Sequence, residues 1–266
     1  VIGVLGAGVM GEALFSGLIA AGWPADEIVI ADRHELRQAS LCEQYGVRAA
    51  SNAEAAAYAD TVLIVVKPQD VPELLEEIAP VLSATTLVVS LCAGITIASL
   101  EAGLPKGTPV VRVMPNTPAL VAAGMAALAP GHCATEEHMT TAKTMLEAVG
   151  SAIVVPEKYL DAVTALSGSG PAYLFYVVEA MIDGGVLLGL PRDIATELAV
   201  QTMYGSAKLL RETGQHPTRL REQVTSPGGT TAAAIRELED HRVRAAFINA
   251  IEAARNRSSE LATGQK

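Results

Sequence analysis

Three glycines near the start of the chain, Gly6, Gly8 and Gly11, stand at the spacing Gly-x-Gly-x-x-Gly, with Val9 and Met10 between the last two. An apolar run from Val1 to Leu5 precedes them, and a helical pattern from Glu12 to Ala21 follows. In that context each glycine has a task. Gly6 permits a tight strand-to-helix turn, Gly8 leaves bare backbone for a pyrophosphate, and Gly11 lets the helix lie close on the strand. The N–H groups opening the helix then offer hydrogen bonds and partial positive charge to phosphate. Further on, Ile28–Ala31 reads as a second buried strand ending at Asp32-Arg33. Asp32 is placed to accept from an adenosine ribose, which points to NAD, whereas Arg33 suits a 2′-phosphate, which points to NADP. The two neighbours leave that choice open.

Other candidate contacts gather at later strand ends. The run Thr61–Val66 stops at Lys67-Pro68, Thr86–Leu91 at Cys92-Ala93-Gly94, and Val110–Met114 at Pro115-Asn116-Thr117-Pro118. In a doubly wound sheet ligands lie outside the carboxyl ends of strands. Lys67 there meets cofactor or substrate, or stays a solvated charge; Asn116 serves a ribose or carboxamide, or forms a turn. Cys92 reads as a small packing residue. Two loops follow much later. Ser167-Gly168-Ser169-Gly170-Pro171 opens the most hydrophobic helix, either as an anion site or as a place where helices pack closely. In Thr225-Ser226-Pro227-Gly228-Gly229-Thr230-Thr231, the glycines allow backbone to approach a ligand. The helix start there offers N–H groups to a carboxylate and a threonine hydroxyl to a second polar atom; the plainer reading is a glycine turn with a Thr cap.

The elements that would position these residues alternate in type up to about residue 155. Helices are expected near 35–45, from an Asn52 cap, near 71–82, from Thr96, and from a Thr135 cap to Val149. Met125–Leu128 is expected as an edge strand, and Ala152–Val155 closes the sheet. Beyond Glu157 only helical periodicity remains, with starts near Glu157, Pro171, Pro191, Pro217, Thr230 and Asp240. The reading is a mostly parallel α/β domain over residues 1–155 and an all-helical domain over 156–266.

Composition agrees with that division. Residues 1–155 carry 7 Lys/Arg against 16 Asp/Glu, a balance of −9; residues 156–266 carry 12 against 13, a balance of −1. Half the residues are hydrophobic but only 4% are aromatic, which suits aliphatic parallel strands under helices. The net charge of −10 argues against a nucleic-acid partner. Three cysteines without metal-ligand spacing suggest free thiols in a reducing cytoplasm and no metal site. No secretory leader is visible ahead of the first strand. The apolar stretch Ala172–Leu190 is broken by Glu179, Asp183 and Gly184-Gly185, so it reads as a helix buried in protein and not as a membrane span. It is apolar on too many faces for a solvent-facing helix, and a homodimer is expected.

The opening fingerprint, Val66-Lys67-Pro68, Cys92-Ala93-Gly94, Arg112 to Pro118, Leu166 to Tyr173 and above all Val224 to Thr231 together resemble the pyrroline-5-carboxylate reductases, over essentially the whole chain. The resemblance implies an N-terminal Rossmann domain and a helical dimerisation domain that interleaves with its twin. It places each active site at the dimer interface, and dimers commonly assemble into a decamer. It implies reduction of 1-pyrroline-5-carboxylate, a cyclic imine carboxylate, to L-proline by NADPH or NADH. The substrate carboxylate would lie on the loop Ser226–Thr231, including Gly228, Gly229 and Thr230, with Thr231 hydrogen-bonded to the ring nitrogen. Lys67 and Pro68, Ala93 and Gly94, and Asn116 would line the cofactor cleft, with Asn52 near the adenosine end. Two departures stand out: Asp32, where NADPH-preferring members often carry a neutral residue, and Gln223, a substrate contact that is frequently Asn. Two other classes fit parts of the pattern. A related hydroxyacid dehydrogenase would need a Lys where Leu174 stands, and a non-catalytic dinucleotide-binding redox sensor would bind dinucleotide in the crevice yet oxidise none with the cyclic imine.

Overall fold

The computed structural model describes residues 1–262. Eight strands form one sheet: β1 (Ile2–Leu5), β2 (Ile28–Ala31), β3 (Arg48–Ala49), β4 (Thr61–Ile64), β5 (Leu87–Ser90), β6 (Val110–Met114), β7 (Gly124–Pro130) and β8 (Gly150–Val154). Their spatial order is 3-2-1-4-5-6-7-8, parallel throughout except between β6 and β7. From β1 the chain winds outward through β2 and β3, then returns to the opposite side of β1 as β4. Strand order therefore reverses between β1 and β4, and a crevice opens there at the carboxyl ends. In register Leu5 lies opposite both Ala31 and Ile64, so the three strand ends finish level.

Each face of the sheet is covered, which is why its strands are apolar on both sides. Ile2, Val4, Ile28 and Ile30 pack with Leu14, Phe15 and Leu18 of α1 (Val9–Ala20), Leu41 of α2 (Glu35–Tyr45) and Met145 and Leu146 of α6 (Glu136–Glu147). Their neighbours along the strands, Leu5, Val29 and Ala31, face α3 (Asn52–Tyr58), α4 (Val71–Ile78) and α5 (Ile97–Gly103). The alternation follows from the two-residue side-chain period of a strand.

Several expectations change in detail. The first helix starts at Val9, with Gly8 as its extended cap, so the last fingerprint glycine lies inside the helix. Ser51, not Asn52, caps α3: its hydroxyl accepts the Glu54 N–H, and the Glu54 carboxylate accepts the Ser51 N–H. Those bonds hold the Glu54 carboxyl below its ordinary pKa. The strand expected at an edge is β7, and it is interior, antiparallel to β6 and parallel to β8. Residues 167–170 form no open loop. From α7 (Leu160–Val163) the chain winds through a π-helical turn over Thr164–Gly168 directly into α8 (Gly170–Leu187). A Cβ on Gly168 would stand 2.5 Å from the Met114 methyl, so its smallness serves close packing.

The described chain divides into two compact units: Val1–Ser169 joined by the residues from Ala254 onward, and Gly170–Ala253. The break in contacts thus falls later than the compositional change near 155. Leu160 is buried beside Ala127 and Ala129 of β7. The Glu157 carboxylate accepts from Arg112 of β6 at 2.9 Å and from the Ile97 N–H at 2.7 Å. Asp161 accepts from the hydroxyls of Ser258 and Ser259, both at 2.8 Å, near the end of α12 (Val243–Ala262).

The second unit is helical: α8, α9 (Arg192–Thr213), α10 (Pro217–Gln223), α11 (Thr230–Asp240) and the first part of α12. Gly189, at φ +96°, turns the chain between α8 and α9. A Cβ on Gly185 would reach 3.0 Å from that of Ala195, so the two helices meet closely. Its side chains are otherwise poorly covered: Phe175 is 68% exposed, Tyr176 74% and Leu198 55%. Among the described residues no helix is long and apolar enough to cross a membrane.

Candidate dinucleotide site and substrate loop

The glycine turn sits at the mouth of the crevice between β1 and β4. Gly6 has φ +100°, and a Cβ there would lie 2.8 Å from the carbonyl carbon and oxygen of Val65, the residue just past β4. Gly11 meets the turn itself, its imagined Cβ 2.1 Å from the Gly6 oxygen. Gly8 is different: among the described residues nothing lies within 4 Å of that position. Two glycines are thus required by close backbone packing, and the third faces open space at the start of α1. No side chain caps that start, which leaves its N–H groups for a ligand. Arg37 braces the turn, with Nε donating to the Ala7 carbonyl at 2.8 Å and Nη2 to Glu12 at 2.7 Å; the Tyr45 hydroxyl joins Glu12 at 3.0 Å.

Beside the turn lies a cavity of about 500 Å³ whose lining includes Gly6, Gly8, Asp32, Arg33, Asn52 and Lys67. The sequence reading did not anticipate His34, Asp70, Glu73, Leu74 and Glu77, which also line it. The acidic residues at 70, 73 and 77, one helical turn apart, carried the only signal, since they share a helix face leading from Lys67-Pro68. Asp32 Oδ1 accepts the His34 N–H at 2.9 Å. Arg33 is paired with Asp70 at 3.1 Å and Glu73 at 3.6 Å, and Asn52 donates to Glu77 at 2.9 Å. Lys67 is exposed and enters no ion pair among the described residues.

Val9, Met10, Gly11, Pro68, Ala93, Gly94 and Asn116 lie outside the cavity lining. The Asn116 side chain is already engaged: its oxygen accepts the Met125 N–H at 2.8 Å and its nitrogen donates to the Ser167 carbonyl at 3.1 Å. These bonds tie the end of β6 to β7 and to the turn before α8. Cys92 is buried, its thiol donates to the Val66 carbonyl at 3.2 Å, and burial pushes its pKa up to about 11. That is the chemistry of packing, not of a nucleophile. Among the described residues no cluster of three or more His, Cys, Asp or Glu is placed to hold a metal.

In the second unit, the loop before α11 is a tight turn. Gly229 N–H donates to the Ser226 carbonyl at 3.0 Å, Gly228 takes φ +67° with open space around it, and Thr225 Oγ1 donates to the Arg221 carbonyl at 2.6 Å. A Cβ on Gly229 would collide with Ser226 Oγ at 2.4 Å. Gly229 caps α11 without a side chain. Its own N–H is spent within the turn, so the donors left at this end are those of Thr230, Thr231 and Ala232. Thr231 is half-buried, while Ser226 and Thr230 are exposed. Gln223 turns its amide to Gln215, 3.1 Å away.

A doubly wound sheet with an uncapped glycine-turn helix at its switch point defines a Rossmann-type dinucleotide-binding protein, here followed by a helical unit. Residues 157–261 match the family of pyrroline-5-carboxylate reductase dimerisation domains. Residues 1–94 match one described as NADP oxidoreductase, coenzyme F420-dependent. The chain is 48% identical to the pyrroline-5-carboxylate reductase of Corynebacterium melassecola, across 98% of each protein. It is similar to the solved structure of a pyrroline-5-carboxylate reductase from Coxiella burnetii, with a TM-score of 0.93 and 39% identity over 98% of this chain and 97% of that one. The Plasmodium falciparum pyrroline carboxylate reductase, solved with NADP bound, has a TM-score of 0.88 at 30% identity over 98% and 97% of the two chains. The chain belongs to the pyrroline-5-carboxylate reductase family.

Proposed function

We propose that the chain reduces 1-pyrroline-5-carboxylate to L-proline with NAD(P)H, the last step of proline biosynthesis. The observation that carries this reading is near-half identity to a reductase of that name along 98% of both chains. The bare glycine turn agrees with it chemically. Neither alternative class gains support from the relatives, and Leu174 leaves no amine at the position where a hydroxyacid dehydrogenase would need its lysine.

The reaction adds a hydride to the imine carbon and leaves a protonated ring nitrogen, so it calls for neither metal nor covalent intermediate. Bound NAD(P)H supplies the hydride. The protein's share is to bind, orient and exclude water. In this reading the helix start at Gly8, with Val9, Met10 and Gly11 behind it, holds the pyrophosphate, and Asp32 and Arg33 meet the ribose. Lys67, Pro68, Asn52, Ala93, Gly94 and Asn116 are assigned to the same cleft through the family resemblance. Asn116 spends one amide donor on Ser167 and one acceptor position on Met125, and the second of each is its share for a ligand. The N–H groups of Thr230 and Thr231 hold the substrate carboxylate, aided by Ser226 and the open backbone at Gly228. The Thr231 hydroxyl hydrogen-bonds the ring nitrogen and fixes the imine's orientation. Gln223 is the least supported substrate contact, being turned to Gln215.

Thr231→Ala should lower kcat/KM by roughly tenfold to a thousandfold, the scale of losing one positioned hydrogen bond, with NAD(P)H binding retained. Oxidation followed at the nicotinamide absorbance with the cyclic imine tests both parts. An unimpaired variant removes Thr231 from the mechanism, and a wild-type chain that binds dinucleotide without turnover removes the enzyme reading.

The proposal includes a homodimer, supported by the dimerisation-domain match and the uncovered apolar side chains of the second unit. Assembly of dimers into a decamer rests on family resemblance alone. A cytoplasmic location is supported by three unpaired cysteines, and the net charge of −10 speaks against nucleic acid. Functionally the division is drawn near residue 155, with dinucleotide chemistry before it and substrate binding and self-association after it.

A further inference from the structure

We propose that Asp70 and Glu73 set the choice of cofactor: by engaging Arg33 and keeping this part of the cavity acidic, they select the 2′-hydroxyl of NADH over the 2′-phosphate of NADPH. The inference rests on the dinucleotide reading above and deepens it. Arg33 alone looks like a 2′-phosphate ligand, and in sequence it balances Asp32. In the fold it is not available on those terms. Its guanidinium is shared between Asp70 at 3.1 Å and Glu73 at 3.6 Å, two residues a helical turn apart on the segment that follows Lys67-Pro68. Among the described residues, the carboxylates of Asp32, Asp70, Glu73 and Glu77 line the cavity against the cations of Arg33 and Lys67.

A 2′-phosphate adds about −1.5 to −2 charges near neutral pH. Approaching Arg33, it meets a guanidinium whose charge is already shared with Asp70 and Glu73 and must sit beside both carboxylates. A ribose 2′-hydroxyl carries no such penalty. It can donate to Asp32, whose Oδ1 accepts the His34 N–H and whose second oxygen, among the described residues, remains for a ligand. Arg33 is therefore a residue held away from phosphate, and Asp70 and Glu73 are specificity determinants acting through it.

The test is calorimetric titration of the full chain with NAD⁺, NADP⁺, AMP and 2′,5′-ADP, which reads binding without turnover. The wild-type protein should favour NAD⁺ by about tenfold or more in Kd, and AMP over 2′,5′-ADP in the same sense. Arg33 and Glu73 are exposed and Asp70 is partly buried; solvent-reached charges of this kind each contribute roughly two- to fivefold, so Asp70→Asn with Glu73→Gln should move the ratio toward NADP⁺ by about tenfold. Adding Arg33→Ala to that pair should cancel the gain. Higher salt should narrow the wild-type preference, because exposed charges are screened. Glu73 is 83% exposed at its side chain, so Glu73→Gln alone gives a folded variant with a smaller shift of the same sign. A wild-type preference for NADP⁺, or a ratio unmoved in the double variant, overturns the proposal. Failure of the wild-type chain to bind any of the four ligands overturns the dinucleotide reading itself, a distinguishable result.

Discussion

Gly6 and Gly8 belong to one motif and fail differently when altered. Gly6 combines φ +100° with an imagined Cβ 2.8 Å from the Val65 backbone. Gly6→Ala should cost about 1–3 kcal/mol for the backbone conformation alone, more with the collision, and appear as a lower midpoint in chemical denaturation. Gly8, at φ −66° in open space, should accept Ala with little change in that midpoint while dinucleotide affinity falls, because the added methyl group occupies the approach to the helix start. Equal stability losses in the two variants would contradict this division of labour. The motif's spacing was legible in the sequence. The side chains that answer it were less so: Asp32 and Arg33 are adjacent in the chain, yet only the fold shows that Arg33 is already paired by residues nearly forty positions later.

Among the elements, α2 shows how an exposed helix can serve a site it does not line. It buries only Leu41 and is held by polar side chains: Gln38 donates to the carbonyls of Ile30 and Ala50, and Arg37 and Tyr45 converge on Glu12. Glu12 stands in the first turn of α1, where an unpaired carboxylate would oppose an incoming pyrophosphate. Arg37→Met should therefore weaken binding of NADH and NADPH alike, by roughly three- to tenfold, in a fluorescence titration. Glu12→Gln in the same chain should restore most of the loss; a bracing role without an electrostatic one predicts no restoration. Element types and most starts were readable from periodicity. The misplacements have specific causes. Ser51 takes the cap of α3 because its hydroxyl and Glu54 satisfy one another's N–H groups. β7 is interior because β8 pairs with its far side, a fact carried by no residue of β7 itself.

At the scale of the molecule, the two units differ in how much core one chain provides. The first surrounds its sheet with covered aliphatic side chains, whereas the second leaves Phe175, Tyr176 and Leu198 largely exposed. If self-association covers that surface, Phe175→Asp should reduce the dimer to monomer or aggregate in light scattering, while binding of NAD⁺ by the first unit persists. A variant that remains dimeric would remove Phe175 from the interface. The sequence by itself determined the class of ligand, the order of elements and the family, because the glycine spacing, strand runs and loop motifs are local patterns that survive without their surroundings. Only the tertiary structure decided that Asn116 is tied to Met125 and Ser167, that Gly168 packs on Met114, and that Asp70 and Glu73 hold Arg33 beside Asp32. Those contacts join segments far apart in the chain, and packing and register, not spacing, bring them within bonding distance.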